Sequence, residues 1–243
     1  MRTVLSTTFL PSLLADVKSG RMMPAAMQRP YQWDRSDVEA LCDSILSGFP
    51  VGGMLMWQPE DKADLSKIAK TRLGPISLSN DGEKWKTVAL LLDGQHRLAT
   101  LAWLMLEGPA PALDYSPSEH MFLGNQCLVL DLASQSMKFV SHKVAKKTMC
   151  LPAWTVMSSV STEIYQRAMK LLREMDAQER EGVEEMADLF GRASEAFGNA
   201  RVTLTVIVDA TPEEAKHAFL RICRTGVPMS ETDFDRAMAW AAA

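Results

Sequence analysis

The sequence is short of several things, and each shortage removes a class of explanation. No apolar run reaches the roughly 18–20 residues that a membrane-spanning helix needs, so a spanning protein is not expected. Cysteine is scarce. Cys42, Cys127, Cys150 and Cys223 stand far apart, with no C-x-x-C pair and no close Cys/His spacing. Zinc and dithiol redox chemistry are unsupported, and free thiols in a reducing cytoplasm are the expectation. His120, His142 and His217 are isolated and suggest no metal site. Aromatic residues are only 7% of the 243, and no internal repeat or low-complexity linker breaks the chain. A surplus of positive charge is missing too, since 26 Lys and Arg stand against 30 Asp and Glu, a formal net charge of −4. Any contact with nucleic acid must then use a local patch. The opening MRTVLSTTFLPSLLADVK has no small-residue cleavage site after a continuous apolar stretch, so it reads as amphipathic chain, not as a signal peptide.

What remains is an ordinary globular composition, 47% hydrophobic and 23% charged. Periodicity predicts a mixed α+β chain. Leu10, Leu13, Leu14 and Val17 predict a helix over Thr8–Val17, and RMMPAAMQRPYQW reads as extended because of Pro24 and Pro30. A second helix, capped by Asp34 or Ser36, carries Val38, Leu41, Cys42, Ile45 and Leu46 on one stripe and ends at Gly48 and Pro50. Gly53–Trp57 reads as a buried strand, and 58–86 as a polar excursion or hairpin with an Asn80-Asp81-Gly82 turn. Then comes TVALLLDGQHRLATLAWLML, an apolar strand, a sharp turn at Asp93-Gly94 and a long apolar helix. Further strands are predicted at Gln126–Leu132, Met137–Ser141 and Val202–Val208. Helices are predicted over Ser161–Phe197 and, broken at Thr225-Gly226-Val227-Pro228, over Pro212–Ala241. Residues 1–150 form the expected core, and 151–243 a helical segment with one strand packed on it as part of the same domain.

The strand–DGQHR–helix turn is where chemistry concentrates. A helix start leaves backbone N–H groups unpaired and carries the positive end of the helix dipole, so it receives anions once the chain can approach closely. Gly94 allows that approach, and Arg97, one turn on, can direct its guanidinium at the same anion. Gln95 adds hydrogen bonding, His96 can accept or pass a proton near neutral pH, and Asp93 could hold Mg²⁺ or orient a water. A plain structural role is also open, with Asp93 capping the helix and Arg97 pairing with it. What sharpens the turn is the upstream stretch Pro24-x-x-x-Gln28-Arg29-Pro30-Tyr31-x-Trp33. It supplies a second arginine and two rings that could stack on a base or simply anchor the segment.

With these motifs, the capped helix and the Pro50-Val51-Gly52 turn, the chain resembles the N-terminal domain of GmrSD-type restriction enzymes. The resemblance extends to Ala218-Phe219-Leu220-Arg221-Ile222 and Gly226-Val227-Pro228-Met229-Ser230, so it spans nearly the whole chain. The organisation is also similar to phosphorothioate-linked antiphage proteins of the SspE type. The resemblance implies a ParB/sulfiredoxin-like core that binds and hydrolyses a nucleoside triphosphate with Mg²⁺, in defence against modified or foreign DNA. It implies phosphate binding by Arg29, Gly94 and Arg97, with Gln28, Tyr31 and Trp33 completing the nucleotide site. Asp93 would take the metal, and Asp93, Gln95 and His96 the catalysis. His96 stands where the family has a second glutamine, and Cys223 where it has an asparagine. No H-N-H-type nuclease segment is visible, so cleavage is expected from another domain or subunit. The chain ends inside a helical stretch, Glu231–Ala243, where the family normally continues, which suggests a fragment or a short member.

Charge is unevenly spread. Residues 1–35 hold five basic and two acidic side chains, whereas 165–199 hold five and eight. The densest basic cluster, Ser141 to Lys147, offers Lys143, Lys146 and Lys147 to DNA phosphates or stands as a solvated loop. The alternative to an enzyme is a DNA-recognition module in which the same arginines grip backbone phosphate. A purely structural or regulatory domain is the third reading. A homodimer is a further possible assembly.

Overall fold

The computed structural model describes residues 1–59, 65–78, 87–104, 117–122, 124, 126–145, 150–157, 166, 170 and 180–224. A five-stranded mixed sheet organises them. Its strands are β1 (Arg2–Phe9), β2 (Met22–Pro24), β3 (Gly53–Gln58), β6 (Ala89–Asp93) and β10 (Arg201–Val208), in the order β1-β10-β3-β6-β2. β10 comes from the far end of the chain yet lies between β1 and β3, antiparallel to the first and parallel to the second. A small hairpin pairs β4 (Arg72–Leu73) with β5 (Ile76–Ser77). A second sheet of three strands holds β7 (Gln126–Asp131), β8 (Ser136–Ser141) and β9 (Cys150–Pro152), in the order β8-β7-β9. The mixed α+β class agrees with the reading of the sequence.

Helices form where apolar stripes meet good caps. α1 (Leu10–Lys18) buries Leu10, Leu13, Leu14 and Val17 and tolerates Pro11 in its first turn, where no intrahelical N–H is lost. α2 (Arg35–Leu46) begins with a full capping box. Asp34 accepts from the Asp37 amide at 3.1 Å, and the Asp37 carboxylate accepts from the Asp34 amide at 3.0 Å. Its stripe of Val38, Leu41, Cys42 and Ile45 is buried, each fully buried side chain contributing about 1.5–3 kcal/mol. α3 (Gln95–Leu104) follows β6, and α4 (His142–Ala145) and α5 (Ala153–Met157) are short. α6 (Arg180–Asn199) packs on α1, α2 and α5, and α7 (Pro212–Arg224) follows β10. Among the described residues, no helix is long and apolar enough to cross a membrane.

The front of the chain differs from expectation. Thr8, read as helical, belongs to β1, and the helix starts at Leu10. The run 2–9, with three threonines, Val4 and Phe9, has the composition of a strand. It lacks apolar alternation because β1 is exposed almost throughout. β9 has no counterpart among the predicted strands. The Asn80-Asp81-Gly82 turn, most of Ser161–Arg180 and the break at Thr225–Pro228 lie outside the described residues.

Two details of the sheets stand out. β3 and β6 change register, with Met56 opposite Leu91 but Leu55 opposite Asp93, so Leu92 is an extra residue on β6 just before the turn. In the second sheet, α2 lies along the outer flank of β8. Glu39 accepts from the Phe139 amide at 2.7 Å and Asp43 from the Met137 amide at 3.2 Å. Carboxylates one helical turn apart thus close alternate amides of an edge strand, because a turn's rise of about 5.4–6 Å approximates two strand residues.

Candidate functional site

The turn between β6 and α3 has an unusual start for a helix. The Gly94 carbonyl accepts the first helical bond, from the Leu98 amide at 3.0 Å, so Gly94 is the N-cap residue and Arg97 the third helical position. A glycine cannot cap with a side chain. Its φ of +96° is a conformation that L side chains rarely adopt, and a Cβ there would meet Cγ of Met54 at 2.8 Å. Asp93 makes no capping bond. Its half-exposed carboxylate instead stands 4.0 Å from Nη2 of Arg97. Thus the pairing foreseen for Asp93 and Arg97 forms, whereas the capping does not.

Arg97 is held in place. Its Nη1 donates to the Val51 carbonyl at 3.1 Å, and its side chain is only 23% exposed. Gly52, at φ +87°, passes directly over the guanidinium, and a Cβ at that position would collide with Nη1. The Pro50-Val51-Gly52 turn is legible in the sequence as a turn, but its part in seating Arg97 is not. The relevant signal is the Gly48/Pro50/Gly52 cluster, which marks backbone that can approach another group closely.

His96 and Gln95 occupy the first turn. The His96 ring lies 5.3 Å from the Tyr31 ring and 6.0 Å from Trp33, nearly parallel to the latter at 23°. Burial, and then the Arg29 charge, hold its pKa below the ordinary 6.5, while a backbone hydrogen bond at Pro30 and the charges of Asp37 and Asp93 act the other way. Nε2 of His96 is buried without a partner, so the Pro30 bond falls to Nδ1 and the neutral ring keeps Nε2 as a bare acceptor. Gln95 is 5% exposed, and its Oε1 is likewise buried and unpaired. Leaving such groups unsatisfied costs about 1–3 kcal/mol each.

The upstream segment divides into scaffold and exposed charge. The Gln28 amide donates to the carbonyls of Leu91, at 3.2 Å, and Leu92, the first of which also accepts from the Ala25 amide, so it closes the Leu92 carbonyl of the extra residue on β6. Tyr31 is 2% exposed, and its hydroxyl lies 2.6 Å from Oγ1 of Thr100 on α3. It anchors the segment against the helix. Trp33 packs on the core with part of its ring open, whereas Arg29 is exposed and close enough to His96 to shift its proton affinity. Lys143 stands exposed on α4, beside the three-stranded sheet and not on the sheet that carries the turn. Lys146, Lys147 and the Cys223 side chain lie outside the described residues. No cluster of three or more His, Cys, Asp or Glu suited to a metal occurs among the described residues.

The structure therefore brings Arg29, Trp33, Asp93, Gly94, Gln95, His96 and Arg97 around one helix start and leaves Lys143 elsewhere. No curated protein is matched by the chain. The family described as GmrSD restriction endonuclease, N-terminal domain, is matched over residues 10–239, which takes in the QRPYQW segment, the turn and the far helices. The chain belongs to that family, and so among the components of restriction and antiphage systems.

Proposed function

We propose that the start of α3 binds the phosphates of a nucleoside triphosphate and promotes its hydrolysis with Mg²⁺, within a system that acts on modified or foreign DNA. The observation that carries this reading is the composition of the helix start. Glycine caps it, arginine occupies the third position, and a second arginine stands alongside, so neither the cap nor the first turn of the helix carries an acid and Asp93, just before the cap, is the anion beside them. Arg97, seated by Val51 and Gly52, would hold the phosphates from one side and Arg29 from the other. Asp93 suits Mg²⁺, which accepts one carboxylate together with substrate phosphates and waters. The ion would supply charge neutralisation on those phosphates.

The bare acceptors Gln95 Oε1 and His96 Nε2 suit a water that donates to them and turns its lone pair to the terminal phosphorus. The water oxygen forms the new bond to phosphorus and the bond to the leaving diphosphate oxygen breaks. His96, neutral because its pKa is lowered, takes the proton.

The test is thermal unfolding of the protein with ATP, GTP, CTP or UTP and Mg²⁺, repeated on Arg29→Ala and Arg97→Ala. A binder at hundredfold excess over its Kd gains about 2.7 kcal/mol, and both variants lose most of that gain. A wild type that no triphosphate stabilises, yet that binds duplex DNA with a steep salt dependence, would replace this reading with a DNA-recognition module.

A further inference from the structure

Among the described residues, the edges of the five-stranded and three-stranded sheets are closed by visible devices, with one exception. β8 is closed by Glu39 and Asp43. The outer side of β2 is closed by the bridge of Ala25 with Ala69 and by hydrogen bonds between Ala26 and Ile68 and between Lys70 and Pro24. β9 has three residues and ends in proline. β1 has none of these. One flank bonds to β10 from Arg2 opposite Val208 to Phe9 opposite Arg201, and the other meets no strand among the described residues. Seven of its eight residues are exposed, Leu5 at 73%. It contains no proline, glycine, lysine or acid, and its one charge, Arg2, is already paired with Asp209 at 3.2 Å. Natural sheets seldom leave so long an edge unguarded.

We infer that β1 is the seam of a two-fold dimer, where it pairs antiparallel with β1 of a second copy of this chain. Two identical edges satisfy one another about a two-fold axis without any further design. In an antiparallel ladder, facing residues both turn their N–H and C=O groups toward the partner or both turn them away. Facing residue numbers must therefore sum to an even value. The register centred on Leu5 meets that condition, with Leu5 against its own copy, Thr3 against Thr7, Val4 against Ser6 and Arg2 against Thr8. It joins the most exposed apolar side chain of the strand to itself and matches threonine with threonine, both favourable cross-strand pairs. Charge also favours a second copy. The two Arg2 residues fall at opposite ends, about 20 Å apart over six residues of strand, well beyond a screening length of about 8 Å. A charged partner strand would find nothing along this edge to select it. The result is one continuous sheet through both copies.

Sedimentation velocity and light scattering on the full chain test this, with Leu5→Lys and Leu5→Cys. The wild type is expected at twice the chain mass at about 100 µM, above the micromolar range where the weaker standard interfaces dissociate. Leu5→Lys, which sets two ammonium groups face to face, is expected at the single-chain mass with an unchanged circular dichroism spectrum. Leu5→Cys is expected to lock as a covalent dimer under mild oxidation, whereas Phe49→Cys, also well exposed but away from the seam, is not. A wild type that stays single at about 100 µM, or a dimer that Leu5→Lys does not dissociate and Leu5→Cys does not lock, overturns the inference.

Discussion

α2 and α3 start in opposite ways, and the difference separates a helix that serves the fold from one open to a ligand. α2 opens with Asp34 as cap and Asp37 at the third helical position, each bonded to the other's backbone amide, so its positive end is answered from within. α3 opens with Gly94 as cap and Arg97 at that same third position. The two helices differ little in length, yet one brings two acids to its dipole and the other brings a cation. Burial differs in the same sense. The α2 cap is exposed and fully bonded, whereas Gln95 and His96 hold buried atoms without partners.

The strongest way to break the contrast is to give α3 an acid of its own. Gly94→Asp and Gly94→Ala should each cost about 1–3 kcal/mol in urea unfolding, from the positive φ and the approach to Met54. Only the aspartate also places an anion at the cap position itself, beside the one that Asp93 already supplies. Calorimetric titration should therefore show at least a tenfold further loss of triphosphate affinity, about 1.4 kcal/mol, relative to the alanine variant. The converse change is smaller. Asp34→Ala should lower stability by about 1 kcal/mol through loss of the cap and leave ligand affinity unchanged, which separates the two helix starts functionally. The smallest effect concerns His96. Because its pKa in the folded chain lies below 6.5, the unfolded chain binds more protons as pH falls through that region, so stability declines from there down to the folded value. Melting temperature against pH should therefore slope more steeply on the acid side for the wild type than for His96→Gln.

Much of the fold is readable from residue order alone. The stripe Val38, Leu41, Cys42, Ile45 and the cap at Asp34 specify α2, and the change from LLL to DGQHR specifies β6, the turn and α3, because in both places periodicity and punctuation agree. β1 is not readable, since an edge strand exposed on both faces has no burial pattern to betray its period. The roles of Gln28 and Gly52 are hidden for a different reason. Gln28 is bonded to carbonyls 63 and 64 positions away, and Gly52 lies under a side chain 45 positions on, and no local rule connects such distances. Tyr31 and Trp33 look alike in sequence, but Tyr31 is fully buried and Trp33 keeps an open side.

The supernumerary leucine of β6 has a geometric consequence. Facing residues of paired strands share a side of the sheet, so Leu91 lies on the side of Met56 and Asp93 on the side of Leu55. Strict alternation would have sent Leu91 and Asp93 the same way. The bulge, rather than chemistry, thus decides the side toward which the acidic tip of the strand points. A variant with one leucine deleted from the triplet would pair without a bulge and still set its aspartate opposite Leu55, whereas a strand that kept all three leucines in strict alternation would aim the acid at the other face.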